Sequence, residues 1–396
     1  MGKLIKIYLL KEGTVMEVDT LINQLDEHNE GNILATKKFK CKEVIFIRSA
    51  KEESSMKAIK EYYNTYMPQV VLKECIIEEG ENDKLRGLID NNKNKNILIN
   101  LTGGRRINSL ILLMLCSESN IKSVYVDIKK KVLYIIDDGV KIKSEEFGDL
   151  EVDDIIKASG GDVLQDSTAL CDKEDLVYLT KEIYRNLSLW HKYKQKLYDS
   201  NIFIHDYQDS KRVLIKTKLL DKSEKDLLNK ILNKLKEMNG IRYTNINDDE
   251  LEVYFLNEYL KGFIFKSGTW LEMATNMMIQ DIKDIDQVKS GVIFLWNNDV
   301  KVVRNEVDVV AVKDSVPICI SCKDSDKYNE MALNELNVYS EKIGGEKAYK
   351  ILVATKEPIK ASVRERAKEM GIHLVIFDGD ENKFRKSIQS IVKNNN

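Results

Sequence analysis

Residues 305–324, NEVDVVAVKDSVPICISCKD, decide how the rest of the chain is read. Two short apolar runs flank Lys313-Asp314-Ser315, a pattern that predicts two strands joined by a turn. In a strand, residues i and i+2 share a face. Glu306 and Asp308 then point one way, and Val307 and Val309 the other. Beyond the turn, Ile318 and Ile320 face one side, Ser321 and Lys323 the opposite one. Pairing of the strands gathers two carboxylates, a hydroxyl and an ammonium on one patch of an apolar sheet. Like charges held close resist ionising together, so paired carboxylates favour a divalent cation. A lysine beside such a site can position a nucleophilic water or offset transition-state charge. The patch reads as a catalytic centre.

Residues 256–396 enclose it. A helix is predicted over 270–281, WLEMATNMMIQD, with Leu271, Ala274, Met278 and Ile279 at helical spacing. Glu272 falls in its first turn, where it either complements the helix dipole or stands over the patch as a further acid. Strands GVIFLWN, KVVRNEVDVVAV and ICISCK follow, then a helix over 328–343. Glu335 and Tyr339 lie one turn apart on that helix and share a face. Strand KILVAT, helix ASVRERAKEMG and strand HLVIFDG complete an α-β-β-β-α-β order.

Residues 1–150 alternate strands and helices. KLIKIYLL, EVIFIRS, VVLKECII, NILINLT, SVYVDI and KVLYIID read as strands; VMEVDTLINQLDEH (15–28), EESSMKAIKEYYNTY and RINSLILLMLCS read as helices. That alternation predicts a parallel, doubly wound α/β sheet, which binds ligands beyond the carboxyl ends of its strands. Thr102-Gly103-Gly104-Arg105-Arg106 joins a strand directly to a helix. Two glycines let backbone N–H groups approach a ligand, and a helix N-terminus favours anions. With Glu12-Gly13-Thr14 after the first strand and Ser49 after the second, the pattern points to a nucleotide or phosphate ligand.

Residues 151–255 are helical over 166–200 and 222–239, the latter ending on Gly240 as a cap, with a strand pair at IRYTNI and LEVYFL. They predict a small, winged-helix-like module. Asp221, Glu224, Asp226 and Glu237 give it an acidic face, which favours a mechanical connector and dimer contact over a nucleic-acid reader.

Composition sets the outer bounds. The chain has 396 residues, 43% hydrophobic and 32% charged, enough for two or three domains. Its 62 basic and 64 acidic residues nearly cancel, so any nucleic-acid groove must be local. No apolar run reaches the roughly 18 residues of a membrane span, and the N-terminus lacks a signal-peptide pattern. Six scattered cysteines suit a reducing cytoplasm. Cys319-x-x-Cys322 lies within a predicted strand, where i and i+3 face opposite sides, and it lacks the partners a zinc site needs.

Two resemblances follow from these residues. Asn100-Leu101-Thr102-Gly103-Gly104-Arg105-Arg106 resembles the Asn-x-Thr-Gly-Gly-Thr-Lys signature of CARF domains, the sensors of cyclic oligoadenylates in type III CRISPR defence, with arginines at its last two positions. It implies a Rossmann-like fold, a homodimer with one pocket on the two-fold axis, and a cyclic oligoadenylate activator such as cyclic tetra-adenylate. Residues 256–396 resemble the PD-(D/E)XK nuclease core of restriction endonucleases. Glu272 matches its first-helix acid, Asp308 its central acid and Lys323 its lysine. Ser321 stands where an acid is usual, with Glu306 able to replace it, and Glu335 with Tyr339 resembles its Gln-x-x-x-Tyr pair. The resemblance implies a Mn2+- or Mg2+-dependent endonuclease, the metal on Glu272, Glu306 and Asp308, cutting single-stranded DNA or RNA or nicking duplex DNA. The alternative is a ligand sensor whose nuclease-like domain is inactive.

Overall fold

The structure is a computed structural model that describes residues 16–137, 141–266, 268–296 and 304–393. Its first sheet takes β1 (Thr20–Gln24), β2 (Glu43–Arg48), β3 (Val71–Ile76), β4 (Ile97–Asn100), β5 (Lys122–Asp127), β6 (Val132–Asp137) and β7 (Lys141–Glu145) in the order β3-β2-β1-β4-β5-β6-β7. The strands from β3 to β5 are parallel, and β6 and β7 return antiparallel. Successive strands run outward from β1 toward β3 and from β4 toward β7, so the order reverses between β1 and β4. A ligand crevice is expected at such a switch point.

One element differs from its sequence reading. Residues 15–28 predict a helix, yet Thr20–Gln24 form the central strand β1, with all five residues buried. A parallel strand covered on both faces shows no alternation, and a short apolar run cannot be assigned by periodicity alone. The predicted strand KLIKIYLL, and Glu12, Gly13 and Thr14, lie outside the described residues.

β8 (Gly161–Gln165) comes next. After it, β9 (Phe203–His205), β10 (Arg212–Lys216), β11 (Ile241–Asn247) and β12 (Glu250–Phe255) form an antiparallel sheet of order β11-β12-β10-β9. Helix Lys222–Glu237 runs beside β11, and the left-handed residue at its end is Asn239, at φ 55°, rather than Gly240. The stretch 166–200 is not one helix. It breaks at Asn186 into Glu174–Arg185 and Leu187–Tyr193, with 3-10 turns at Thr168–Asp172 and Lys194–Tyr198.

The third sheet contains β13 (Gln287–Trp296), β14 (Asn305–Lys313), β15 (Val316–Lys323), β16 (Tyr349–Ala354) and β17 (Ile372–Ile376), in the order β17-β16-β15-β14-β13-β8. β8, from the middle of the chain, thus completes the C-terminal sheet. Helices Thr269–Gln280, Glu330–Gly344, Ala361–Glu369 and Glu381–Lys393 flank it.

The β14–β15 hairpin is buried on both faces. Val310, Val312 and Cys319 join a core that includes Leu21, Phe46 and Val124 of the first unit. Val309, Ala311, Ile318 and Ile320 join another, with Trp270 and Leu271 and with Leu179, Phe203 and Val253 of the middle unit. Its turn residues Asp314 and Ser315 are both left-handed, at φ 51° and 64°, as a tight two-residue hairpin requires.

That turn docks on the first unit. Ser315 Oγ accepts the Leu150 N–H at 2.9 Å, and Lys131 Nζ bridges Asp149 at 2.8 Å and Asp314 at 3.1 Å. Asp149, Asp286 and Asp314 bring oxygens within 4.8 Å of one another, and Lys131, with Lys313 on Asp314, supplies the counter-charge. Burial raises the Asp314 pKa, but hydrogen bonds from Lys313 and Lys131 outweigh it and hold the carboxyl below its ordinary 3.8. The ion pair therefore stabilises the fold above that pH and is lost as pH falls through the lowered value. Lys131→Met should cost roughly 1 kcal/mol at pH 7, since Lys131 and Asp314 are each about a third exposed. The cost should fade in strong acid, at a pH well under the ordinary 3.8, where Asp314 is protonated. Denaturant titrations at both pH values check this, and an equal loss at both would refute the electrostatic account.

Candidate active site and ligand loop

The acid–lysine patch forms at the open end of the hairpin. Asp308 Oδ2 accepts the Cys322 N–H at 2.6 Å and the Ser321 hydroxyl at 3.1 Å, and lies 3.7 Å from Lys323 Nζ. Opposite Asp308 the β13–β14 ladder is locally bent. Ser290 pairs with Val309 and Val292 with Val307, leaving Gly291 between them at φ 54°. A β-carbon on Gly291 would sit 2.5 Å from Ser167 Oγ.

Glu272 reaches the patch from helix Thr269–Gln280. Burial first, and the charge of Asp308 second, push its carboxyl up to about 7; Glu306 adds to the rise, while Lys266 and Lys323 oppose it. Thr275, one turn on, accepts from Cys322 Sγ at 3.5 Å, which ties this helix to β15. Glu306 is exposed at the rim. Among the described residues, Glu272, Glu306 and Asp308 do not form a trio with oxygens inside 4.8 Å, unlike Asp149, Asp286 and Asp314.

Glu335 is not brought into this set. Its helix packs on the opposite face of the sheet from Glu272's. Burial and the adjacent, hydrogen-bonded Glu335 together raise the Tyr339 pKa, and the Tyr339 ring stands edge-on to Phe294. Cys319 and Cys322 lie in opposite cores as free thiols.

Sequence reasoning missed Asp324. Its buried carboxylate accepts from Trp190 Nε1 at 2.6 Å, Trp270 Nε1 at 2.9 Å and Thr355 Oγ1 at 2.9 Å. His191 Nε2 and Lys194 Nζ each lie 3.1 Å away. Burial raises its pKa, yet the two indole donors, Lys194 and Thr355 hold it below the ordinary range.

At the switch point of the first sheet, the 102–106 loop rests on a buried amide network. Asn100 Oδ1 accepts from the Thr102 N–H at 3.0 Å and the Thr102 hydroxyl at 2.6 Å, while Asn100 Nδ2 donates to Asn23 and Asn32. Thr102 Oγ1 accepts the Val126 N–H at 2.8 Å. The Gly104 N–H donates to Asp26 at 2.9 Å, and Arg105 pairs with Glu79 at 2.8 Å. Arg106 opens helix Arg106–Ser119 and is exposed, and Gly103 packs against the Gln24 carbonyl. Ser49 donates its N–H and hydroxyl to Glu52. Asn23, Gln24, Asp26 and Asn32 had no signal in the sequence, because single residues from another βα turn leave no local pattern.

A doubly wound sensor-like unit carries a glycine–arginine loop, and a second sheet carries an acid–lysine hairpin; together they define a sensor joined to a nuclease. Residues 21–153 match the Card1 CARF domain, and residues 261–394 match the endonuclease domain described as Card1-like. The chain thus pairs a CARF domain with a Card1-like endonuclease domain. Can2 from Sulfobacillus thermosulfidooxidans, solved with cyclic tetra-adenylate, is 17% identical with a TM-score of 0.71, over 94% of this chain and 99% of that one. Protein VC1899 from Vibrio cholerae is 16% identical with a TM-score of 0.75, over 95% and 97%. A type III CRISPR defence DNA nuclease activated by cyclic oligoadenylate is 15% identical with a TM-score of 0.56, over 99% of this chain and 54% of that one. No curated protein matches the chain. Among the described residues no helix is long and apolar enough to cross a membrane.

Two outcomes follow from this geometry. The Glu272 carboxyl, raised from 4.5 to about 7 in the fold, stabilises the protein below pH 4.5, and that stability is lost as pH climbs through 7. In chelator, Glu272→Gln should be more stable than the native chain at pH 8, by up to about 3 kcal/mol, and nearly equal at pH 4. Denaturation at the two pH values measures this; a less stable glutamine variant at pH 8 would contradict it. Gly104 sits at φ 76°, with an added β-carbon 2.5 Å from Gln24 Cβ. Gly104→Ala should cost about 1–3 kcal/mol by the same assay, and a neutral result would overturn the claim of crowding.

Proposed function

We propose that this chain is a metal-dependent endonuclease switched on by a cyclic oligoadenylate, cyclic tetra-adenylate being the ring, and that it works in the cytoplasm as a homodimer. What carries the nuclease half is the meeting of Asp308, Lys323 and a second acid, Glu272, whose pKa rises chiefly through burial and the charge of Asp308. Acids so placed are relieved by a divalent cation, and carboxylate oxygens suit Mg2+ or Mn2+. Glu272 and Asp308 would hold the ion, with Glu306 at the rim as the third acid. When bound, the ion supplies an acidified water and polarises the scissile phosphate.

The chain's own groups do the rest. The Cys322 N–H and Ser321 hydroxyl fix one oxygen of Asp308, which orients the other. Ser321 serves as a donor to the central acid, so its place in the motif needs no carboxylate. Lys323 balances charge on the phosphate or directs the attacking water. Contacts of this kind touch phosphates rather than bases, which suits cleavage of single-stranded DNA or RNA, or nicking of duplex DNA, with little sequence preference.

The ligand half rests on the 102–106 loop. Gly104 N–H and Arg105 are already engaged by carboxylates, Asp26 and Glu79, and the phosphates of a cyclic oligoadenylate would compete for both donors. Thr102 shapes the loop through Asn100 and Val126, and Gly103 and Arg106 complete its rim. Ser49, at the end of β2, is the further described residue assigned to this pocket. Pairing of two copies is supported by helix Arg106–Ser119, where Ile107, Leu110 and Met114, at i, i+3 and i+7, are 55%, 59% and 64% exposed. Moving such a dimer from mostly off to mostly on takes about 5.5 kcal/mol of differential binding.

The deciding experiment incubates the chain and Asp308→Ala with Mn2+ and labelled single-stranded DNA, single-stranded RNA and plasmid duplex, with and without cyclic tetra-adenylate. Ligand-dependent cleavage that Asp308→Ala abolishes is expected. Absence of cleavage under every condition would sink the enzyme, and equal rates without the ring would sink the switch.

A further inference from the structure

Asp324 directly follows Lys323, and its side chain is 1% exposed. Its neighbours come from three separate parts of the chain. Trp270 belongs to the first turn of helix Thr269–Gln280, two residues before Glu272. Thr355 follows β16. Trp190 and His191 belong to helix Leu187–Tyr193 of the middle unit, and Lys194 to the turn after it. Lys194 also donates to the Asp324 backbone carbonyl. Both indoles donate to Oδ2, while Thr355 donates to Oδ1. Charged hydrogen bonds are the strong ones, and a buried carboxylate is costly without them.

We infer that Asp324 is the positioning residue of the nuclease site, one carboxylate that sets the spacing between Glu272 and the Asp308–Lys323 strand pair and bolts the connector helix to both. This rests on reading Glu272, Asp308 and Lys323 as the reacting patch. The Glu272 helix and β15 meet the patch from different elements, so their separation is not set by local chain geometry. Asp324 fixes it through Trp270 on one side and the peptide to Lys323 on the other. A misplacement of about 1 Å can cost on the order of a hundredfold in rate. Through Trp190, His191 and Lys194, the same carboxylate makes that spacing depend on where the middle unit sits. Asn in its place would offer a single acceptor oxygen and turn an NH2 group toward donors.

The test uses the full-length chain, with Asp324→Asn and the milder Trp190→Phe, which removes one donor and keeps an aromatic ring. Two measurements are made: Mn2+-dependent cleavage kinetics with cyclic tetra-adenylate, and hydrogen exchange in chelator. Expected is a fall in kcat of at least roughly tenfold, with KM for nucleic acid within about twofold, in both variants. Expected also is faster exchange confined to residues 269–275 and 320–324. Native kcat together with native exchange in Trp190→Phe overturns the inference, as does a change in KM alone. If the native chain neither cleaves nor responds to Mn2+, the nuclease reading has failed, and the exchange data then decide by themselves whether Asp324 sets the spacing.

Discussion

Burial of one hairpin on both faces is the constraint on which the rest depends. β14 and β15 cannot be solvated on either side, so the first unit must cover one face and the middle unit the other. Apolar side chains fill both layers, and the polar groups of the hairpin are confined to its two ends. At the tip, Asp314 and Ser315 meet Lys131 and Leu150; at the open end, Asp308, Ser321 and Lys323 meet one another. Sensor and nuclease are therefore not beads on a string. They share a core, and the strands that carry the acids are its middle layer.

Electrostatics is handled differently at the two ends. Three aspartates at the tip are balanced by Lys131 and Lys313 and stabilise the fold. At the open end Glu272 is pushed up to about 7, so ionising it costs stability. A site that keeps like charges together gives up stability for function. Asp324, beside it, takes the opposite course: its side chain is almost wholly buried, yet saturated with donors.

Much of this was legible in the sequence where the pattern is local. The hairpin followed from two apolar runs about a turn, and parity placed Ser321 and Lys323 together; it failed across Asp308, opposite the kinked Gly291, where Val307 joins one core and Val309 the other. The α/β order and the 102–106 loop followed from alternation and from glycines before a helix. Three things were not legible. β1 is buried on both faces and so has no alternation to read. The amides beneath the loop and the donors around Asp324 come from residues up to 134 positions away, and no window of sequence contains them. Glu335 shares a turn with Tyr339, as its spacing predicts, but which face of the sheet its helix covers is a tertiary matter, and that face is not Glu272's.

β8 has a consequence of its own. It hydrogen-bonds along β13 and closes one edge of the C-terminal sheet, although residues 166–286, the middle unit among them, intervene before that sheet resumes. Open strand edges template intermolecular pairing. A fragment that begins where the endonuclease match begins, at residue 261, would leave the β13 backbone bare and Phe294 and Trp296 at a sticky border. The C-terminal sheet is thus born incomplete at its own end of the chain and is sealed by a segment made earlier. The nuclease cannot finish folding as a free-standing piece, and its assembly is tied to the presence of the units that govern it.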